Sequence, residues 1–243
     1  MLPELIYREE RMQDYSLLMV LGAISGLAGF ILASHFYPSQ SDILAVVFAS
    51  IPLIYPLTEF FLEDEKRGKP HLPEVKVYGS LFIGEVFAFF ALGHAFPEAF
   101  QLQYSTITAI SGAATSLGPF FSILVNNLIV FAAILLLSAV IGSAGAFVLT
   151  WNASVLGVFF AKMARSIESG SGFLTCTPNP SPLCYLPHAT LEMTGFIVAG
   201  ISGSLVSAAV YREHFDRETW KDYTKLVTLG VLLIVAGALL ESA

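Results

Sequence analysis

From Pro119 to Met163 the chain runs for about 45 residues with Lys162 as its only charged side chain. A helix rises about 1.5 Å per residue and the hydrocarbon layer of a bilayer is about 30 Å thick, so about 20 residues cross it. The run is long enough for two crossings and must fold back on itself. Gly142-Ser143-Ala144-Gly145 lies at its middle, and Gly and Ser pairs are where helices break and backbones approach closely. The bilayer is therefore the expected solvent. Composition agrees: 55% of the 243 residues are hydrophobic and only 13% charged, about half the charge of an ordinary soluble domain. Twelve Lys and Arg stand against 19 Asp and Glu, net −7, without the clustered basic excess of a nucleic-acid footprint. Nucleic acid is not an expected partner.

Further apolar runs cover Ser16 to Phe36, Asp42 to Leu62, Val77 to Phe96, Ala189 to Val210 and Leu226 to Leu240. The first follows a mixed-charge opening (Glu4, Arg8, Glu9, Glu10, Arg11, Asp14) rather than a basic n-region, so it reads as a retained helix. Pro52 and Pro56 predict a kink in the second run, its freed carbonyls finding partners within the bundle. Residues 97 to 118, rich in Ser, Thr, Gly and Ala, read as an interfacial or re-entrant connection. The expectation is an all-α, polytopic transmembrane helical bundle of six to seven spans, forming a single integral membrane domain over residues 1–243.

Lys and Arg favour the cytoplasmic loops. With seven spans and the N-terminus inside, the inner segments hold Arg8, Arg11, Lys66, Arg67, Lys69, Lys76, Arg212, Arg217, Lys221 and Lys225, leaving Lys162 and Arg165 outside. Were 142–163 only a half-helix, the four basic residues at 212–225 would face outward, so a complete hairpin is expected. The predicted location is the cell membrane, multi-pass. This orientation places Cys176 and Cys184 outside. The three prolines between them make a stiff turn that favours a disulfide, two free thiols being the alternative. The Asn152-Ala153-Ser154 triplet falls in a span and is not read as a glycosylation site.

Ionisable and strongly polar groups at membrane depth are costly unless paired, which makes each a functional candidate. They are Glu85, His94, Asn126, Asn127, Asn152, His188 and Glu192. His188 and Glu192 are four residues apart and share a helix face. Depth bookkeeping puts His94, Asn126 or Asn127, His188 and Glu192 in one bilayer half, where they are able to meet. Each also has a plainer reading: Asn as interhelical glue, His188 and Glu192 as first-turn residues after Pro187, and Glu85 as a hydrogen-bonded structural carboxyl. Gly195, Ala199 and Gly203 form a small-residue stripe suited to internal packing or to a homodimer seam.

Phe120-Phe121-Ser122-Ile123-Leu124-Val125-Asn126-Asn127, the glycine hinge, Trp151-Asn152-Ala153-Ser154-Val155-Leu156-Gly157 and Leu186-Pro187-His188-Ala189-Thr190-Leu191-Glu192 together resemble the stage II sporulation protein M family over residues 77 to 210. Ala153 and Ala189 stand where that family usually carries Gly. The resemblance implies a polytopic membrane protein whose namesake acts with cell-wall hydrolases during engulfment, in a family also found where no spores form. No segment looks like a peptidoglycan hydrolase.

The leading expectation is a non-enzymatic, homo-oligomeric membrane scaffold or assembly factor. It would contact the lipid bilayer and envelope protein partners and need no cofactor or metal. A transporter or channel using the Glu/His/Asn cluster comes second, without an evident inverted repeat. An intramembrane metallo-hydrolase built on His188 and Glu192, with His94 as a further ligand, comes third, since the His-Glu-x-x-His arrangement is absent. No Gly-x-Ser-x-Gly elbow points to a serine nucleophile.

Overall fold

The computed structural model describes residues 14–64, 72–112, 118–168, 182–213 and 217–242, and every regular element among them is helical. In chain order these are α1 (Tyr15–Phe36), α2 (Ser41–Asp64), α3 (Leu72–Ala95), α4 (Gln101–Gly112), α5 (Pro119–Ile141), α6 (Ala146–Glu168), α7 (Pro182–Tyr211) and α8 (Arg217–Ser242), with single 3-10 turns at Pro38–Gln40, Pro97–Phe100 and Gly142–Gly145. All but α4 are long enough to cross a bilayer; the 49-residue apolar stretch Phe120–Glu168 is divided into α5 and α6 by the last of these turns. Helices suit that solvent because each satisfies its backbone groups within the segment.

The helix ends follow local chemistry. Asp14 caps α1 by accepting from the Leu17 N–H at 3.1 Å, and the Ser16 hydroxyl and this N–H hold its carboxyl below the usual aspartate range. Pro119 occupies the first turn of α5, where its missing N–H costs nothing. Gly142 ends α5 at φ +63°, a conformation glycine adopts freely. The α5–α6 hairpin therefore turns where the glycines predict.

Two groupings of helices result. In one, α1 packs on α2 and α3, and α3 on α6; in the other, α7 packs on both α5 and α8. The α5–α6 hairpin is shared out between them, with few contacts between its own arms. Glycine makes the closest approaches: a Cβ on Gly84 would lie 1.9 Å from the Met19 carbonyl oxygen, and one on Gly157 would lie 2.7 Å from that of Val86. Met19 and Val86 therefore meet their partners backbone to backbone. We call the end of the bundle holding Tyr15, Asp64, Leu72, Tyr211 and Arg217 the proximal face and the opposite end the distal face.

Two sequence expectations change in detail. α7 begins at Pro182, before the expected start, and runs through Pro187; so near the helix start a missing N–H forfeits one bond only, and the Thr190 hydroxyl donates to the Leu186 carbonyl at 2.6 Å. Residues 97–112 form a 3-10 turn and a short helix. Phe100 is fully buried, stacked on Phe30 and edge-on to Phe89, while Gln103 donates to the Asp42 carbonyl (3.2 Å) and Ser154 hydroxyl (3.3 Å). Residues 113–117 and the charged loop 65–71, with Lys66, Arg67 and Lys69, lie outside the described residues.

Candidate functional site

Glu85 is buried on α3, where the Thr150 hydroxyl of α6 donates to its Oε1 at 2.8 Å. Gly93 and Gly157 let α3 and α6 run side by side, which brings so short a side chain as threonine within reach. A carboxyl at this depth is costly without a partner. Thr150 supplies one.

The second acid lies in the other grouping. Glu192 of α7 is 7% exposed, and Asn127 of α5 donates its Nδ2–H to Oε1 at 2.6 Å. Gly237 of α8 closes the remaining side: a Cβ there would lie 2.6 Å from Glu192 Cγ and 3.3 Å from Oε1. Three helices thus meet on one carboxyl. Glu241, one turn beyond Gly237, brings a second acid near enough to act on it electrostatically.

The other candidates are dispersed. Asn126 is exposed, because the residue next to Asn127 is turned about 100° around the helix. Asn152 spends its amide on its own helix, donating to the Val148 carbonyl at 2.7 Å. His94 is exposed at the distal end of α3, stacked on Phe90 and 3.7 Å from the Glu168 carboxylate of α6. His188 is half-buried one turn before Glu192. Of His94, Asn126 or Asn127, His188 and Glu192, which depth allowed to meet, only part comes together. Asn127 and Glu192 meet, whereas His94 belongs to the α3–α6 seam and Asn126 faces outward. Among the described residues no group of three or more His, Cys, Asp and Glu side chains is placed to hold a metal ion, and the hydrolase reading loses its third ligand.

The small-residue stripe faces inward. Gly195 abuts Ile234 and the Gly230 carbonyl of α8, Ala199 is fully buried, and a Cβ on Gly203 would lie 2.4 Å from the Leu135 carbonyl oxygen of α5. Occupied on both sides, it offers no seam to a second copy. Ala153, where the resemblance expects Gly, is also fully buried. Cys176 and the side chain of Cys184 lie outside the described residues, and the expected bridge with them.

Two features escaped sequence reasoning. Arg165 of α6 caps the end of α3, donating to the Gly93 carbonyl (2.5 Å) and the Tyr104 hydroxyl; its signal was a cation at a span end, opposite carbonyls without intrahelical donors. At the proximal junction of the two groupings, the Ser143 N–H donates to Thr58 Oγ1 (3.1 Å), and the Ser143 and Tyr78 hydroxyls each lie 3.3 Å from Ser204 Oγ. Its signal was the hydroxyl residue within the glycine hinge.

No curated protein and no solved structure matches the chain. The family model of stage II sporulation protein M matches residues 77–243, from within α3 through α8. The matched span thus holds Glu85 and Glu192 and extends past the sequence resemblance to include Gly237, which closes on Glu192. The chain belongs to the stage II sporulation protein M family.

Proposed function

We propose that this multi-pass protein is a scaffold or assembly factor of the cell membrane, acting as a homo-oligomer, forming a single membrane domain and recruiting other envelope proteins. The observation that carries the reading is the closure of Glu192 by Asn127 and Gly237. A transport or catalytic carboxyl needs a route to its substrate, whereas a carboxyl sealed by two neighbouring helices serves as a tie between them. Glu85 is held in the same manner by Thr150. The basic-residue distribution supports a cytoplasmic proximal face. Partners would meet the outward apolar side of the bundle, to which α5 contributes Phe121, Val125 and Ile129.

Crosslinking in native membranes, followed by gentle solubilisation and mass measurement, tests this. Adducts containing a second copy or a defined envelope protein are expected. A strictly monomeric protein that yields no protein adducts contradicts the proposal. Flux in proteoliposomes that is abolished by Glu85→Gln or Glu192→Gln, with folding intact, would favour a transporter instead.

A further inference from the structure

Asn127 of α5 turns inward to Glu192, and Phe131, Ile134 and Ser138 follow it at steps of four, three and four residues, all buried in the bundle. The other side of the same helix repeats the pattern. Ser122, Asn126, Ile129, Ala133, Leu136 and Val140 lie at alternating steps of four and three residues, and none of them is buried. Ile129, Leu136 and Val140 are 64%, 61% and 78% exposed. This is the heptad spacing of a left-handed helix pair, on a side of α5 turned away from the bundle.

Asn126 is the one amide in that stripe. It lies seven residues past Pro119 on a helix of 23 residues, which is about 35 Å long against a hydrocarbon layer of about 30 Å. Centred in that layer, the helix holds Asn126 about 8 Å below its surface, too deep for so short a side chain to reach the headgroups. The other asparagines of the described spans are satisfied: Asn127 donates to Glu192 and Asn152 to the Val148 carbonyl. The exposed Thr190 and Thr228 donate to carbonyls of their own helices. Asn126 has no side-chain partner among the described residues. Two donors and an acceptor are thus turned toward hydrocarbon, where an unmet polar group is costly.

What meets this amide must offer a donor and an acceptor at the same depth. A lipid tail offers neither. A second copy offers both by symmetry: copies inserted in one orientation are related by an axis along the membrane normal, which sets α5 parallel to α5 and residue 126 opposite residue 126. A single Asn in an otherwise apolar seam of this spacing fixes the register and the number of paired helices. We propose that two copies pair through the outward seam of α5, the Asn126 amides exchanging hydrogen bonds across the two-fold axis. The inference rests on the homo-oligomeric reading above and gives it a location.

The test uses the full chain in membranes, with Cys176 and Cys184 changed to serine for the bridging arm. On mild oxidation Asn126→Cys and Leu136→Cys should each give a covalent dimer, and Ile24→Cys, at a position 55% exposed on α1, should not. Association is then measured by energy transfer between labelled copies as they are diluted in lipid. Asn126→Val should weaken it by about tenfold or more, since the pair loses two bonds each worth about three- to twentyfold. Asn126→Gln, which keeps an amide, should stay nearer to wild type, and the unfolding temperature shows that each variant is folded. Unchanged association of folded Asn126→Val, or bridging from Ile24→Cys as readily as from Asn126→Cys, overturns the seam while the homo-oligomer stands. Bridging from Asn126→Cys to a different protein alone overturns it in favour of a heterologous partner. A chain that is monomeric throughout overturns both the seam and the homo-oligomer.

Discussion

Gly237→Ala tests whether Glu192 is a tie or merely a tolerated acid. The added Cβ would sit 2.6 Å from Glu192 Cγ, against an ordinary carbon contact of about 3.5–4.0 Å, so the side chain must retreat by about 1 Å. Its bond to Asn127 is 2.6 Å long, and a displacement of that size, whether it compresses or stretches the pair, does not preserve hydrogen-bond geometry. The tie is worth about 0.6–1.7 kcal/mol by analogy with measured interhelical bonds in membranes, and the overpacking itself costs about 1–3 kcal/mol. Against these stands a gain in helix propensity of up to about 1 kcal/mol for Gly→Ala. Gly79→Ala isolates that gain, because a Cβ on Gly79 meets nothing within 4 Å. Unfolding of both variants in mixed micelles should place Gly237→Ala below Gly79→Ala by about 2–5 kcal/mol, the lost tie and the overpacking together. In a Glu192→Ala background the deficit should largely disappear, as the clashing carboxyl is gone. Equal stability of the two glycine variants would refute the reasoning.

Three other perturbations bear on the same account. Thr150→Val keeps the shape but removes the donor to Glu85; a stability loss of about 1–3 kcal/mol is expected in the same unfolding assay, with Glu85→Gln, which retains hydrogen-bonding capacity, closer to wild type. Arg165→Leu uncaps the Gly93 carbonyl and should cost about 1 kcal/mol, seen as faster amide exchange in the last turn of α3. The Asp14 carboxyl is held below its ordinary value by Ser16 and Leu17, so its cap is fully in place above that ordinary value of about 3.9 and is lost as pH falls through the lower folded value. Amide exchange at Leu17 should accelerate there, and Asp14→Asn should remove the pH dependence.

Spans were legible because a bilayer demands long apolar segments, and the hairpin turn because Gly142 and Gly145 interrupt the longest of them. What the pattern did not carry was lateral direction. Asn126 and Asn127 are neighbours in sequence, yet only Asn127 turns toward Glu192, since one step along a helix rotates the side chain by about 100°. Depth placed His94 near Glu192, but α3 and α7 belong to different groupings and His94 meets Glu168 instead. The partner of Glu85 was invisible to a search for ionisable groups because it is a threonine. Gly237 was passed over for a related reason: Gly230 and Gly237 lie two turns apart on α8 and both face inward, Gly230 against Phe131 and Gly237 against Glu192, a spacing that a heptad scan would have found.

Site-specific photo-crosslinking in native membranes addresses the proposed scaffold role most directly. The probe belongs at Ile129, which is 64% exposed on the outward side of α5, with a control at fully buried Ala199. The account predicts discrete protein adducts from Ile129, containing a second copy or an envelope protein, and none from Ala199. Lipid adducts alone from Ile129, and from the neighbouring outward positions Val125 and Leu136, would contradict it.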